Sequence, residues 1–260
     1  MLKNDTYEVV IGLEIHAQLN TNSKAFCSDK VEFGAAPNTL VSPISLGHPG
    51  TLPVHNKEAV NMAIMLGLAC GCDIRKYNTY DRKNYFYADL PKGYQITQMD
   101  TPICNNGKVE ITLPDGSTKD INLTRIHMEE DTGKGLHDLD LENTLMDYNR
   151  AGTALVEIVT EPDFRSGDEA YAFLSEVRKL VRYLGVCDGN MEEGSLRCDA
   201  NVSIRPLGRK EFGVKVEVKN MNSMSNVKKA IEHEFERQCK MADNAEEIFS
   251  ETRSFDALKG

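Results

Sequence analysis

No stretch of the chain approaches the roughly 18 consecutive apolar residues of a membrane-spanning helix, and the opening MLKNDTYEVV has no apolar run of signal-peptide length. The expectation is a cytoplasmic protein that engages no membrane. Its seven cysteines, at 27, 70, 72, 104, 187, 198 and 239, follow no regular spacing, and an odd number cannot all pair, so free thiols are expected. Positive charge is scarce: 30 Lys and Arg against 40 Asp and Glu leave a net −10, which argues against nucleic-acid binding by the surface as a whole and leaves only a local basic strip for that purpose. The common nucleotide motifs are missing. TGKG at 132–135 lacks the upstream glycine and the following hydroxyl of a P-loop, and no G-x-G-x-x-G follows a strand, so any ATP site has to be built on a sheet face. There is no internal repeat and no low-complexity tract.

What is present is enough apolar residue, 40% of 260, to bury a core for one large domain or two small ones. YEVVIGLEIHAQL alternates, with Val9, Ile11, Leu13, Ile15, Ala17 and Leu19 on one side and Gly12, Glu14, His16 and Gln18 on the other, the pattern of a strand with one apolar face. A Pro, Gly, Asn and Ser-rich loop over 34–55 precedes a helix with Asn56 as N-cap, Gly71 as C-cap and Val60, Ile64 and Leu68 on its packing face. Residues 77–104 read as loops and short strands, and PDG at 114–116 as a hairpin turn joining KVEITL to KDINLTRIHM. Ser166 and Glu169 form a capping-box pattern for a helix ending at Gly185, with Ala170, Phe173, Leu174, Val177, Leu180, Val181 and Leu184 as its buried stripe. Two further strands, SLRCDANVSIR and FGVKVEVKN, are followed by a helix over about 225–241 carrying Val227, Ile231 and Phe235. Hairpin links between strands favour an α+β domain with a largely antiparallel sheet over a doubly wound parallel one.

The residues that can carry chemistry stand in the strands. Glu14 and His16 project from one strand face roughly 7 Å apart, which suits a metal and equally suits a solvated face. IHMEEDTGK places Glu129, Glu130 and Asp131 in succession at the end of a buried-looking strand, where mutual repulsion calls for a cation nearby. In ALVEIVTEPD, Glu157 interrupts a run that otherwise reads as buried on both faces, and a buried carboxylate needs a cation or several donors. An oxygen-rich set with one histidine favours Mg²⁺ or Mn²⁺ over zinc. The alternative is an ion pair of Glu157 with Arg150 or Arg125. His127 reads as a hydrogen-bonded structural histidine. The later hairpin presents Ser195, Arg197, Asp199, Asn201, Ser203 and Arg205, then Lys215, Glu217 and Lys219, a face able to hold a polyphosphate and its metal or to be covered by cross-strand ion pairs. YDRKNYFYADLPKGYQITQ interleaves Tyr80, Tyr85, Phe86, Tyr87 and Tyr94 with Arg82, Lys83 and Lys92, either a surface for stacking the bases of a nucleic-acid end or a loop anchored by its tyrosines.

Taken in order, VIGLEIHAQL, DRKNYFYADLPKGYQITQ, TRIHMEEDTGK, NRAGTALVEIVTEPD, MEEGSLRCDANVSIRP and EVKNMNS closely resemble the GatB/GatE family, the B subunits of tRNA-dependent amidotransferases. The resemblance implies a sheet cradle of the glutamine synthetase/guanido kinase class. It also implies a ligase that uses ATP and Mg²⁺ to phosphorylate the side-chain carboxylate of Glu or Asp misacylated on tRNA, ammonia then displacing the phosphate. Implied partners are misacylated tRNA, the amidase that delivers ammonia and the small third subunit. On this resemblance Glu14, His16, Glu129, Glu130 and Glu157 are the candidate metal shell, with Glu14, His16, Glu130 and Glu157 catalytic. Arg197, Asp199, Asn201, Lys215, Glu217 and Lys219 are candidates for the nucleotide, and Arg82, Lys83, Tyr85, Tyr87 and Tyr94 for the tRNA acceptor end. Two departures follow. Where many relatives have Cys-x-Cys and Cys-x-x-Cys as a zinc site, this chain has Cys27-Ser28-Asp29 and Ser42-Pro43-Ile44-Ser45, so no zinc is expected. The family also continues past this chain into helical and tail domains that engage tRNA, so residues 1–260 are expected to form a catalytic cradle domain incomplete at its C-terminal end. A metal-dependent phosphohydrolase, and a scaffold that only docks the amidase or tRNA, are the competing readings.

Overall fold

A computed structural model describes residues 5–136, 140 and 142–257. In chain order the elements are β1 (Tyr7–Gln18), α1 (Lys57–Ala69), β2 (Asp73–Ile74), β3 (Asp81–Asn84), β4 (Tyr94–Thr97), β5 (Cys104–Asn105), β6 (Lys108–Thr112), β7 (Thr118–Glu130), β8 (Lys134–Leu136) and β9 (Leu145–Asp147). They continue with β10 (Ala154–Thr160), α2 (Gly167–Tyr183), β11 (Leu196–Pro206), β12 (Val216–Met221), α3 (Met224–Asp243) and β13 (Thr252–Ser254). The main sheet runs β13-β12-β11-β1-β10-β7-β5-β2, with β6 added on β7, and small hairpins β3-β4 and β8-β9 lie outside it. Among the described strands only β12 and β13 pair in parallel, so the largely antiparallel α+β expectation is met.

The central register follows from β1. Ile11, Leu13, Ile15 and Leu19 are all at most 2% exposed. A slip by one residue would expose them and bury Glu14 and His16, a penalty on the order of 10 kcal/mol from lost apolar burial alone. Because His16 lies opposite both Glu157 and Arg197, and Glu157 opposite His127, one sheet face collects the polar residues of four adjacent strands. The other face joins the hydrophobic core, where α2 and α3 pack on each other and α3 covers β11 and β12. Phe164 and Phe173 meet edge-to-face there with centroids 5.2 Å apart.

The helix ends are set by side chains largely as expected. Asn56 accepts from the amides of Glu58 and Ala59, while Cys70 takes the cap position and Gly71 follows it in the left-handed conformation at φ +68. Ser166 accepts from the Glu169 amide, but the capping box is displaced by one residue: the Glu169 carboxylate accepts from the amide of Arg165 and from Lys119. The packing face of α1 is the expected one only in part, with Val60 and Ile64 half-buried against the core. Ala59, Met62, Ala63, Leu66 and Gly67 are buried, whereas Leu68 is 64% exposed. This helix is apolar nearly all round, so its period does not single out a face. Close approach does, since a β-carbon at Gly67 would lie 2.4 Å from Cys104 Sγ. The second strand of the late hairpin starts at Val216, leaving Phe212, Val214 and Lys215 exposed in the preceding loop.

All seven cysteines are free, and burial pushes the thiols of Cys70 and Cys104 up to about 12 and those of Cys72, Cys187 and Cys239 up to about 11. Cys198, fully buried, is also raised, and only Cys27 is partly exposed. Thiolate is the reactive form, so titration of the native protein at pH 8 is expected to give one fast-reacting thiol at most, and all seven after unfolding without reductant. Fewer than seven in the unfolded protein would reveal a disulfide.

Candidate metal centre and cleft

β1, β10 and β7 lie side by side, and their antiparallel register brings His16, Glu157 and Glu129 together. His16 Nε2 is 3.3 Å from Glu129 Oε1 and 3.4 Å from Glu157 Oε2. One ligand atom from each of these three residues lies within 4.8 Å of the others. A second imidazole closes the group: His127 Nε2 is 3.2 Å from Glu157 Oε2, while its Nδ1 accepts from Arg125 Nε at 3.3 Å. That bond leaves the ring proton on Nε2, directed at Glu157. Burial disfavours ionised Glu157, but hydrogen bonds and charge from His127 and His16 hold its carboxyl well below the usual range. For His16 burial acts against the proton, and Glu129 and Glu157 outweigh it, raising the pKa to about 10. The partners of Glu157 are therefore two histidines, the protonated ring of His16 and the Nε2–H of His127, in place of the expected alternative of an ion pair with Arg150 or Arg125. His127 is the hydrogen-bonded histidine expected of it.

Glu130 does not belong to this group. Successive residues of a strand point to opposite faces, so Glu129 turns to His16 and Glu130 away from it. The Glu130 carboxylate accepts from Lys92 Nζ and from the Ile96 amide at 2.9 Å, and its carbonyl accepts from Gln95 Nε2. It fastens the β3-β4 hairpin to β7 and so stands apart from the group expected as the metal shell. Glu14 shares the face but sits one pleat along, accepting from Asn201 Nδ2 at 2.9 Å. The remaining oxygen of Asn201, Oδ1, is buried with no hydrogen-bond partner among the described residues.

Arg197, Asp199, Asn201, Glu217 and Lys219 do share the polar face, in register with β1 or with one another. Lys219 Nζ bridges Asp199 of the neighbouring strand at 2.7 Å and Glu217 of its own strand at 3.0 Å, and the first is the cross-strand ion pairing that was the alternative to a nucleotide face. Lys215 lies outside the strand and exposed, and acts on Glu217 only through its charge. Beside the face opens a cleft of about 910 Å³ whose walls include Gln18, Arg150, Arg197, Asp199, Lys134 and Asn222. That volume falls within the range of small-molecule sites.

Sequence reasoning named Asp131, Gln18 and Arg150 but gave none of them a place in the site. Asp131 is 5% exposed and receives Arg197 Nη1 and Nη2 at 2.9 and 3.0 Å, Gln18 Nε2 at 2.7 Å and its neighbour's amide at 2.9 Å. Burial opposes its ionisation, and Arg197 with Arg150 nevertheless holds its pKa down to about 2. The signal was in the alternation. Asp131 continues the His127 and Glu129 side of β7, the side that faces Arg197.

The hairpin of β3 and β4 carries the aromatic and basic residues. The Tyr94 ring lies under the Arg82 guanidinium at 4.6 Å and the Lys92 ammonium at 5.2 Å. Lys83 lies 5.7 Å from the Tyr85 ring, and Tyr85 and Tyr87 meet edge-to-face at 5.8 Å. Tyr85 donates to Gln95 and is pushed up to about 12 by burial and by the acids around it, Asp89 first. Phe86, 92% exposed, and Tyr87 stand outward. Arg82 and Lys92 with Tyr94 thus make one cation–aromatic group and Lys83 with Tyr85 and Tyr87 a second, Arg82 and Lys83 projecting from opposite faces of β3, both beside the acidic end of β7.

Residues 9–260 match the family model described as the GatB/GatE catalytic domain. A protein of Thermodesulfovibrio yellowstonii, named as the B subunit of aspartyl/glutamyl-tRNA(Asn/Gln) amidotransferase, is 55% identical over 254 residues, covering 98% of this chain and 53% of the relative. Proteins of the same name from Rippkaea orientalis, 56% identical over 257 residues with 95% and 52% covered, and Pseudomonas aeruginosa, 55% over 253 with 97% and 53%, are similar to the same degree. The chain spans about half the length of the curated relatives it matches. With a family model matched from residue 9 to residue 260, the chain belongs to the GatB/GatE catalytic domain family.

Proposed function

We propose that this chain carries the phosphorylating site of a tRNA-dependent amidotransferase, acting with an amidase and a small third subunit. The reaction is ATP-dependent activation of the side-chain carboxylate of Glu or Asp esterified to tRNA. A carboxylate oxygen attacks the γ-phosphorus, ADP leaves, and ammonia then attacks the acyl carbon and releases phosphate. The observation that carries this reading is the grouping of His16, Glu129 and Glu157 beside a nucleotide-sized cleft.

The donor set, two carboxylates and one imidazole, fits a hard divalent cation such as Mg²⁺. When bound, that ion supplies charge neutralisation where one anion attacks another. His127 holds Glu157 from behind through its Nε2, fixing the carboxylate's orientation. The face bearing Glu14, Arg197, Asp199, Asn201, Glu217 and Lys219 receives the nucleotide, the Lys219 ammonium exchanging its carboxylate partners for phosphates. Arg82, Lys83, Tyr85, Tyr87 and Tyr94 stack and pair with the acceptor end of tRNA.

The test uses the protein assembled with its amidase. Mg²⁺-dependent ADP release stimulated by Glu-tRNA or Asp-tRNA, with a trappable acyl phosphate, is the expected result. ADP release without acyl phosphate would mean a phosphohydrolase, and neither product a scaffold.

The same reading expects no stoichiometric zinc. Asp29 and Ser45, at two of the positions where relatives have cysteine, are joined by a 2.6 Å hydrogen bond, and Lys24 Nζ lies 3.9 Å from the Asp29 carboxylate. A carboxylate beside an ammonium and hydroxyls, with a single thiol, is a poor zinc site. Elemental analysis should find far less than one zinc per chain; one per chain would overturn the expectation.

A further inference from the structure

Two guanidiniums converge on one buried carboxylate at the wall of the cleft. Arg197 binds Asp131 through both terminal nitrogens, and its Nη1 also donates to the Gly194 carbonyl at 3.1 Å. Arg150 donates Nε to the Thr132 carbonyl at 2.9 Å and Nη2 to the Gly133 carbonyl at 2.6 Å, with its Nε 3.6 Å from Asp131 Oδ2. A guanidinium offers five N–H donors. Arg197 therefore keeps its Nε–H and one hydrogen on Nη2, and Arg150 keeps both on Nη1 and one on Nη2, without hydrogen-bond partners among the described residues.

Both side chains line the cleft and are 32% exposed, whereas Asp131 is 4% exposed at its side chain. Its oxygens are occupied by Arg197, Gln18 and the Thr132 amide, so it has no capacity left to ligate an ion or reach a substrate. Within this triad one negative charge meets two positive ones, and the uncommitted N–H groups of both planar forks are suited to phosphoryl oxygens.

We propose that Asp131 is a positioning residue that holds Arg197 and Arg150 as a two-arginine clamp for the phosphoryl oxygens of a nucleotide polyphosphate. The proposal rests on the ATP-dependent reading of the site and adds to it the residues that grip the phosphates. A nucleic-acid strand is the less suitable occupant. Glu32, Asp147, Asp188, Glu192, Glu193 and Asp199 also line the cleft and would repel a run of backbone phosphates spread along it more than a short polyphosphate gripped at the two arginines.

The test is calorimetric titration of the full protein with inorganic tripolyphosphate in Mg²⁺, on wild type, Arg150→Lys, Arg197→Lys and Asp131→Asn, each checked by thermal melt. Both lysine variants keep the charge and lose the fork, so each should bind tripolyphosphate at least about tenfold more weakly. Asp131→Asn separates positioning from simple electrostatics by sign. Removing a negative charge beside an anion site would by itself tighten binding, while releasing the arginines weakens it. Weaker binding supports the clamp, and tighter binding overturns it. Should Asp131→Asn fail to fold, the lysine variants decide: unchanged affinity with a lowered melting temperature would make the arginines struts only. An RNA oligonucleotide ending in CCA that displaces tripolyphosphate, and is itself weakened by the lysine variants, would assign the clamp to RNA and overturn the nucleotide assignment. Weakened tripolyphosphate binding in a protein that forms no acyl phosphate would keep the clamp and remove the phosphorylation reading. Acyl phosphate formed with tripolyphosphate affinity unchanged in all variants would do the reverse.

Discussion

Glu157→Gln is expected to leave the fold in place while lowering acyl-phosphate formation by the assembled enzyme by two to three orders of magnitude, the scale of losing a charge that acts at the transition state. The carboxylate is 9% exposed and lies between two imidazoles, His16 and His127. Glutamine keeps its shape and removes the charge an ion needs. Had the partner been an arginine, the same change would strand a permanent cation and cost roughly 3–5 kcal/mol. A histidine can release its proton instead, so the metal-free protein should lose only about 1–2 kcal/mol. Melting curves with and without Mg²⁺ measure this directly. Wild type should rise with Mg²⁺ and the variant should not. Full activity in the variant, or a collapse of its metal-free melt, would remove Glu157 from the metal site.

The contrast between arginine and histidine partners shows where the sequence was readable. Strand alternation was enough to put Glu14, His16 and Gln18 on one face and Ile11, Leu13 and Ile15 on the other, because that assignment needs only a period of two. The N-caps at Asn56 and Ser166 were readable for the same reason, since capping is a contact within four residues. Glu157 needed more. Its neighbours are decided by strand order, and β10 lies between β1 and β7, which places histidines from both sides against it and sends Arg150 to Asp131. Local pattern does not report long-range order.

The acidic run at the end of β7 divides in the same way. Read as a line, Glu129, Glu130 and Asp131 look like one charge cluster. Folded, they face three different cations: His16 beside Glu129, Lys92 on Glu130 and Arg197 on Asp131. The repulsion that the sequence suggests is relieved by alternation, and only Glu129 is left for a metal. The face of α1 was unreadable for a different reason, its uniform apolarity, and was settled by the space at Gly67.

Metal binding should be coupled to the release of one proton. In the metal-free protein His16 lies between Glu129 and Glu157 with its pKa raised from 6.5 to about 10, so it is protonated at neutral pH and serves as their counter-ion. The raised value fixes the sign for stability. Protonated His16 stabilises the metal-free fold fully below pH 6.5, and that contribution is lost as pH rises through about 10. For metal the sign reverses. An ion held by His16 needs the bare imidazole nitrogen, so across this window it must displace the proton, and its apparent affinity should climb about tenfold per pH unit. Titration with Mg²⁺ or Mn²⁺ at pH 6.5, 7.5 and 8.5, in buffers of different ionisation heat, counts the protons. About one per ion is expected in wild type, and none in His16→Gln, whose weaker affinity should be flat with pH. Wild-type affinity independent of pH, with no proton released, would mean that the ion is held by carboxylates alone and that the imidazolium of His16 stays in place as a structural bridge between β1, β7 and β10.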